Sequence, residues 1–226
     1  MADQPKKRGL IFFALALILG VGVGVVTVYV NGGFDGNASN ETKLAEAQAA
    51  CQMSEGQRAA LDAAAVGDLA AMRIADKPVP LTDIGFQMPD GAAKQFTDLN
   101  KVLVLNLWAT WCGPCREEMP DLAKIQEEYG NDNFEVFALN VDRNGGDKPQ
   151  KFLESIKATS LNLYLDPANK SFQNFRSKGL VFGLPTTMIV DPKGCVQGVL
   201  AGIAHWGSDD AKNLVEVSIK TLGGET

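Results

Sequence analysis

VLVLNLWATWCGPCREEMP, residues 102–120, decides how this chain is read. Its first seven residues, Val102 to Trp108, form a near-continuous apolar run of strand length, as expected for a strand covered on both faces. Cys112 to Tyr129 reads as a helix. Pro114 falls in its first turn, where a missing N–H costs nothing, and Pro120 falls inside it, where a kink is expected. Cys112 and Cys115, two of only four cysteines, therefore sit where a buried strand hands over to a helix. The first N–H groups of a helix are unpaired, and the aligned peptide dipoles leave partial positive charge there. A thiolate at Cys112 is stabilised by that charge, which lowers its pKa below the free value of about 8.5. Cys115, one turn further in, should be more buried and less reactive. A thiolate beside a second thiol can attack a disulfide and then be released by its neighbour.

Outward from this junction the pattern stays regular. Upstream, Ile84, Phe86 and Met88 alternate, Pro89-Asp90-Gly91 marks a turn, and Ala93 to Phe96 returns as a hairpin strand. Downstream, Phe134 to Asn140 is a second buried strand, and Pro149 to Ile156 is helical. Leu161 to Leu165 is a short strand, and Phe172 and Phe175 mark a short helix. Thr186 to Val190 and Val196 to Ala201 form a hairpin about Asp191-Pro192-Lys193-Gly194. Asp209 to Leu222 closes the chain as a helix with Ser208 as its N-cap. Alternating strands and helices followed by a hairpin give an α/β domain, a mixed central sheet flanked by helices.

The N-terminal part is organised differently. Residues 1–8 contain the basic cluster Lys6, Lys7 and Arg8. Residues 9–30, GLIFFALALILGVGVGVVTVYV, hold no charge over 22 positions, which matches the roughly 20 apolar residues a bilayer helix needs. The run leads into Asn31-Gly32-Gly33 without a clear cleavage site or a cysteine for lipid attachment. The expectation is an uncleaved transmembrane helix with its basic end in the cytoplasm, and a cleaved signal peptide is the alternative. Residues 31–76 read as a Gly/Asn-rich linker and an alanine-rich helical connector, broken near Gly56 and Gly67, with too few large apolar residues for its own core. Residues 77–226 then form the α/β domain.

Composition bounds the function. The 226 residues are 46% hydrophobic, carry a net charge of −6 and show no internal repeat, which argues against a nucleic-acid partner. Residues 1–30 hold three basic and one acidic residue, so the remainder carries −8. Zinc fails on ligand count: Cys51 and Cys195 are isolated in sequence and His205 is the only histidine, so no metal is expected. A copper site built from the cysteine pair and His205, and a purely structural Cys112–Cys115 disulfide, are the competing readings.

WCGPC after an apolar strand, with a later Pro-Thr leading into a strand, resembles the thioredoxin fold. More narrowly, NLWATWCGPCREEMP, the later NVD and GLPTTMIVDPKG resemble the TlpA-like group, membrane-anchored periplasmic thiol–disulfide proteins related to the cytochrome c maturation thioredoxins. The resemblance covers residues 78–223, the anchor and the positions of the two further cysteines. It implies that Cys112 is the exposed nucleophile and Cys115 the resolving thiol, and that Trp111, Gly113, Pro114, Leu184 and Pro185 meet the substrate. It also implies a cis bond before Pro185, against a general X–Pro frequency of about 5–6%. Thioredoxins carry a buried aspartate six residues before the first cysteine. Here that position is Asn106, while Glu118 matches an acid used by the anchored relatives. Buried, Glu118 would have a raised pKa and could relay a proton; solvated, it would be an ordinary helix residue like Glu117. Cys51 and Cys195 are expected to pair and pin the connector to the domain; an intermolecular bridge or two free thiols are the alternatives.

The implied function is reduction of disulfides in cytochrome oxidase or cytochrome c assembly proteins, on cysteines that must bind copper or haem. No cofactor is implied. An upstream electron donor in the inner membrane would resupply a monomer. A disulfide-forming oxidase and a copper-binding assembly factor are the rival classes.

Overall fold

β4 (Val102–Trp108) is the centre of the molecule, and its side chains show why. Successive residues of a strand point to opposite faces. Val102, Val104 and Trp108 join one buried cluster, while Leu103, Leu105 and Leu107 join another on the opposite face. The computed structural model describes residues 35–88, 90–143 and 146–223. The transmembrane helix expected at 9–30 therefore lies outside the described residues, as does Pro89 of the expected turn. Among the described residues no helix is long and apolar enough to cross a membrane.

The chain divides into two compact units, Met1–Glu46 and Ala47–Thr226. In the first, the described residues form most of α1 (Asp35–Ala50), whose last turn belongs to the second unit. The second unit continues with α2 (Glu55–Ala64), a 3₁₀ turn at Gly67–Leu69, β1 (Arg73–Pro80), β2 (Gly85–Gln87), β3 (Ala93–Gln95) and β4. It is completed by α3 (Gly113–Tyr129), β5 (Phe134–Asn140), α4 (Lys148–Ser155), β6 (Leu163–Leu165), α5 (Lys170–Ser177), β7 (Thr186–Val190), β8 (Cys195–Ala201) and α6 (Asp209–Leu222).

The eight strands form one sheet in the order β1-β8-β7-β4-β5-β6-β2-β3. β4–β5 and β5–β6 are parallel, and the other pairs are antiparallel. Packed on one face are Leu61 and Ala64 of α2, Met119, Leu122 and Ile125 of α3, and Leu214 and Val215 of α6. On the other face an aromatic cluster of Phe86, Phe96, Phe137 and Tyr164 packs with Phe175 of α5, the Phe137 and Tyr164 rings stacking at 3.7 Å.

The boundary expected at 76/77 moves. β1 runs through it, and Leu61, Leu69 and Met72 are buried in the main core. α2 has few large apolar residues, but those it has fall on one face and fill a groove beside α6. A capping box at Ser54 and Gln57 starts this helix, and Gln57 also donates to the Thr221 carbonyl at 2.7 Å. The break expected near Gly56 lies instead at residues 51–54, because that cap sets the helix start. Cys51 and Cys195 form a disulfide with Cα atoms 5.4 Å apart. Both are buried, Cys195 at the start of a strand that β1 pairs with.

Candidate active site

Four loops meet at one end of the sheet. The β4–α3 loop carries Thr110, Trp111 and Cys112. Val141 and Asp142 follow β5. Leu184 and Pro185 precede β7, and Gly202 to Ala204 follow β8. Register brings them together: Leu107 pairs with Thr186 and Thr186 with Ala201, so the C-terminal end of β4 lies beside the start of β7 and the end of β8. Gly202 N–H donates to the Pro185 carbonyl at 2.9 Å, tying two of these loops together.

Cys112 is the N-cap of α3; its sulfur accepts from the Cys115 N–H at 3.2 Å. The two cysteines are joined, with Cα atoms 5.3 Å apart. Cys112 keeps 6% of its surface and Cys115 none. The order of burial is as expected, but Cys112 is less exposed than a free nucleophile, because capping seats its sulfur against the first turn. Gly113 and Pro114 are exposed, and a Cβ on Gly113 would meet nothing within 4 Å. Trp111 is 71% exposed. The Leu184–Pro185 bond is cis, with Leu184 half-buried and Pro185 buried. α3 continues through Pro120.

Glu118 is 2% exposed, whereas its neighbour Glu117 is solvated. It lies three residues beyond Cys115, on the same helix face. Asn106 Nδ2 donates to its Oε1 at 2.7 Å, and the Ala204 N–H donates to its Oε2 at 3.4 Å. The Trp206 indole N–H faces the carboxylate without reaching hydrogen-bond geometry. Burial outweighs these donors and raises the carboxyl pKa to about 7. Asn106 Nδ2 also donates to Thr187 Oγ1 at 2.9 Å, and its own Oδ1 is buried without a partner.

Asp142 is buried, and both its oxygens accept from the Thr110 N–H at 3.2 Å, which holds the β4–α3 loop against the end of β5. Beside this loop lies a cavity of about 310 Å³, walled by Trp111, Val141, Phe172 and Leu184. The His205 imidazole is 82% exposed and lies 3.9 Å from Asp68.

The structure thus gathers Trp111, Cys112, Cys115, Glu118, Leu184 and Pro185 at one site and places Cys51–Cys195 apart from it. Asn106, which the sequence marks only as a departure from thioredoxin, is the partner of the acid, and its amide also donates to Thr187. Strand parity carried the signal for Asn106, since Val104 and Trp108 on either side face α3.

Residues 80–199 match the AhpC/TSA family. The chain belongs to that family. The curated relatives it matches include the thioredoxin-like protein YneN of Bacillus subtilis, 34% identical over 45% of this chain and 57% of its own. The thiol:disulfide interchange protein HelX of Rhodobacter capsulatus is 33% identical over 50% of this chain and 62% of its own. The match covers less than two thirds of either relative. Among solved structures, a thiol:disulfide interchange protein described as DsbE from Chlorobium tepidum superposes with a TM-score of 0.52 at 29% identity. It covers 66% of this chain and 99% of its own. The thioredoxin-like fold and the TlpA-like family resemblance expected from the sequence are thereby shown.

Proposed function

We propose that this protein is a thiol:disulfide oxidoreductase that reduces partner disulfides through Cys112 and Cys115, held at the periplasmic face of the inner membrane by residues 9–30. The observation that carries the chemistry is the pairing of a helix-capping cysteine with a buried carboxyl on the same helix. The names of the relatives, interchange protein and thioredoxin-like protein, support the reaction class. The resemblance to the cytochrome c maturation thioredoxins supports partners in cytochrome oxidase or cytochrome c assembly.

In the reduced protein the Cys112 thiolate attacks one sulfur of a partner disulfide. A Cys112–partner bond forms, the partner S–S bond breaks, and the second partner sulfur leaves as a thiolate. Cys115 then loses its proton and attacks Cys112, closing the pair and releasing the first partner thiol. Two electrons pass to the partner. Glu118, with a pKa of about 7, is ionised often enough near neutrality to take the Cys115 proton and protonated often enough to return it.

Replacing Cys115 with serine removes the second attack, so partners should accumulate as mixed disulfides with Cys112 in cells. Trapped assembly proteins with paired metal- or haem-binding cysteines are the expected outcome. Failure to trap any protein, in a variant whose Cys112 still alkylates, counts against the reaction.

A further inference from the structure

The cavity beside the cysteine pair has an electrostatic character opposite to that of the chain. Residues 31–226 carry −8, yet of the three charged side chains lining the cavity the two exposed ones are cations, Arg143 and Lys148, and the third, Asp142, is buried. Among the described residues neither forms an ion pair. Asp142 and Asp147, the carboxylates adjacent to them in the chain, have other partners as well. Asp142 accepts from the Thr110 N–H and from Asn140 Nδ2, and Asp147 pairs with Lys151. Arg116, in the first turn of α3 and next to Cys115, lies over the Phe152 ring at 5.0 Å. The apolar surface next to these cations is also unusual. Of four large apolar side chains exposed among the described residues, Trp111, Phe182 and Ile203 lie on the loops that meet at the cysteines.

We infer that the partner segment attacked by Cys112 is extended, with an apolar residue beside its cysteine and a carboxylate that reaches Arg143 and Lys148. This rests on the reductase reading and names its substrate class. The cations stand beside the wall formed by Trp111 and Leu184, so a chain lying along that wall brings its own side chains to them. Exposed ion pairs contribute little each, but the same charges steer encounter, and a chain of net negative charge otherwise repels an acidic partner. The basic rim places local attraction beside the cysteine pair.

The test uses the full chain, reduced and solubilised in a neutral detergent. Short peptides carry one cysteine as a mixed disulfide with a chromogenic aryl thiol, flanked by leucine and by either glutamate or lysine two to four residues away. Attack by Cys112 releases the aryl thiolate, and its absorbance gives the second-order rate. Glutamate peptides should react about threefold to tenfold faster than lysine peptides at low salt, a gap that narrows at high salt. In Arg143→Glu/Lys148→Glu the order should invert. In Arg143→Gln/Lys148→Gln it should collapse, a second readout if the charge-reversed protein does not fold. Equal rates for both peptides on the unaltered chain, or an unchanged preference in the folded variants, overturn the inference while leaving the reductase standing. No thiolate release from any peptide, by a protein whose Cys112 alkylates, removes the reductase reading and the inference together.

Discussion

At the scale of single residues, the acid at 118 shows how burial sets chemistry. A carboxyl at position 118 would titrate near 4.5 in water; desolvation inside the α3 face raises it to about 7. Reactivity should follow. In Glu118→Gln the pH profile of Cys112 alkylation should lose the inflection near 7 that the coupled acid adds. An identical profile in both proteins reduces Glu118 to a helix residue. Stability gives an independent check. The folded pKa lies above the unfolded one, so the folded state binds the extra proton between pH about 4.5 and 7. Its stability therefore falls as pH rises through that window, by ~3 kcal/mol for the full shift. Glu118→Gln, which never ionises, should gain on the unaltered chain by up to that amount between pH 5 and 8.5 in denaturant unfolding of the oxidised proteins. Asn106 belongs to the same argument. Its amide donates to Glu118, so Asn106→Leu removes a donor and should move the acid still higher. The sequence marked Asn106 only as a departure from thioredoxin. Parity along β4 placed it toward α3, but its bond to Thr187, 81 residues away, depends on a sheet register that no local pattern encodes.

At the scale of elements, legibility followed burial pattern. β4, β5, β7 and α6 were readable to the residue because their apolar runs or caps are unbroken: β4, β5 and β7 are buried throughout, and Ser208 caps α6. β1 was missed because its strand pattern is poor. It sits at the sheet edge, contains Pro78 and Pro80, and is mostly exposed or half-buried. α2 was read as a loose connector because alanine content hides a face defined by only Leu61 and Ala64. That face makes a prediction. Leu61 is fully buried against the main core, so Leu61→Ala should cost about 2–5 kcal/mol in denaturant unfolding. A loss below about 0.5 kcal/mol would return residues 55–64 to the status of a connector. The disulfide argues in the same direction. Cys51 and Cys195 are 144 residues apart, and closing so long a loop stabilises by about 4–5 kcal/mol in the chain-entropy model. Both cysteines are 1% exposed, so the bridge should survive a mild reductant that opens Cys112–Cys115. Alkylated Cys51 in peptide maps of the mildly reduced protein contradicts this.

At the scale of the whole molecule, the open quantity is the direction in which electrons flow. The thioredoxin-like sheet is compatible with reductants and oxidants alike, and the fold alone does not choose. What distinguishes them is how strongly the reduced pair is stabilised relative to the disulfide. Thioredoxin, with the same Gly-Pro dipeptide, lies at about −270 mV, whereas the oxidant DsbA lies at about −120 mV because its thiolate is strongly stabilised. Among the described residues the Cys112 sulfur receives the Cys115 N–H, and His205, the chain's only histidine, stands exposed beside Asp68. Behind the pair is an acid whose ionised form disfavours a second negative charge nearby. Stabilisation of the thiolate by the helix start without a histidine partner is less than a strong oxidant's thiolate receives, and it leaves the disulfide form favoured, which is the condition for giving electrons away. The potential should therefore lie below about −200 mV. Equilibration in glutathione buffers, read by the fluorescence of Trp108 and Trp111, measures it. A value near −120 mV would reverse the direction of transfer and make the protein a disulfide-forming oxidase. The sign also bears on the proposed tether. A reductant in an oxidising compartment must be resupplied from the membrane, so the full chain should stay with the membrane fraction through a high-salt wash. Its release by salt would mean that residues 9–30 do not hold it there and that electrons must reach it in solution.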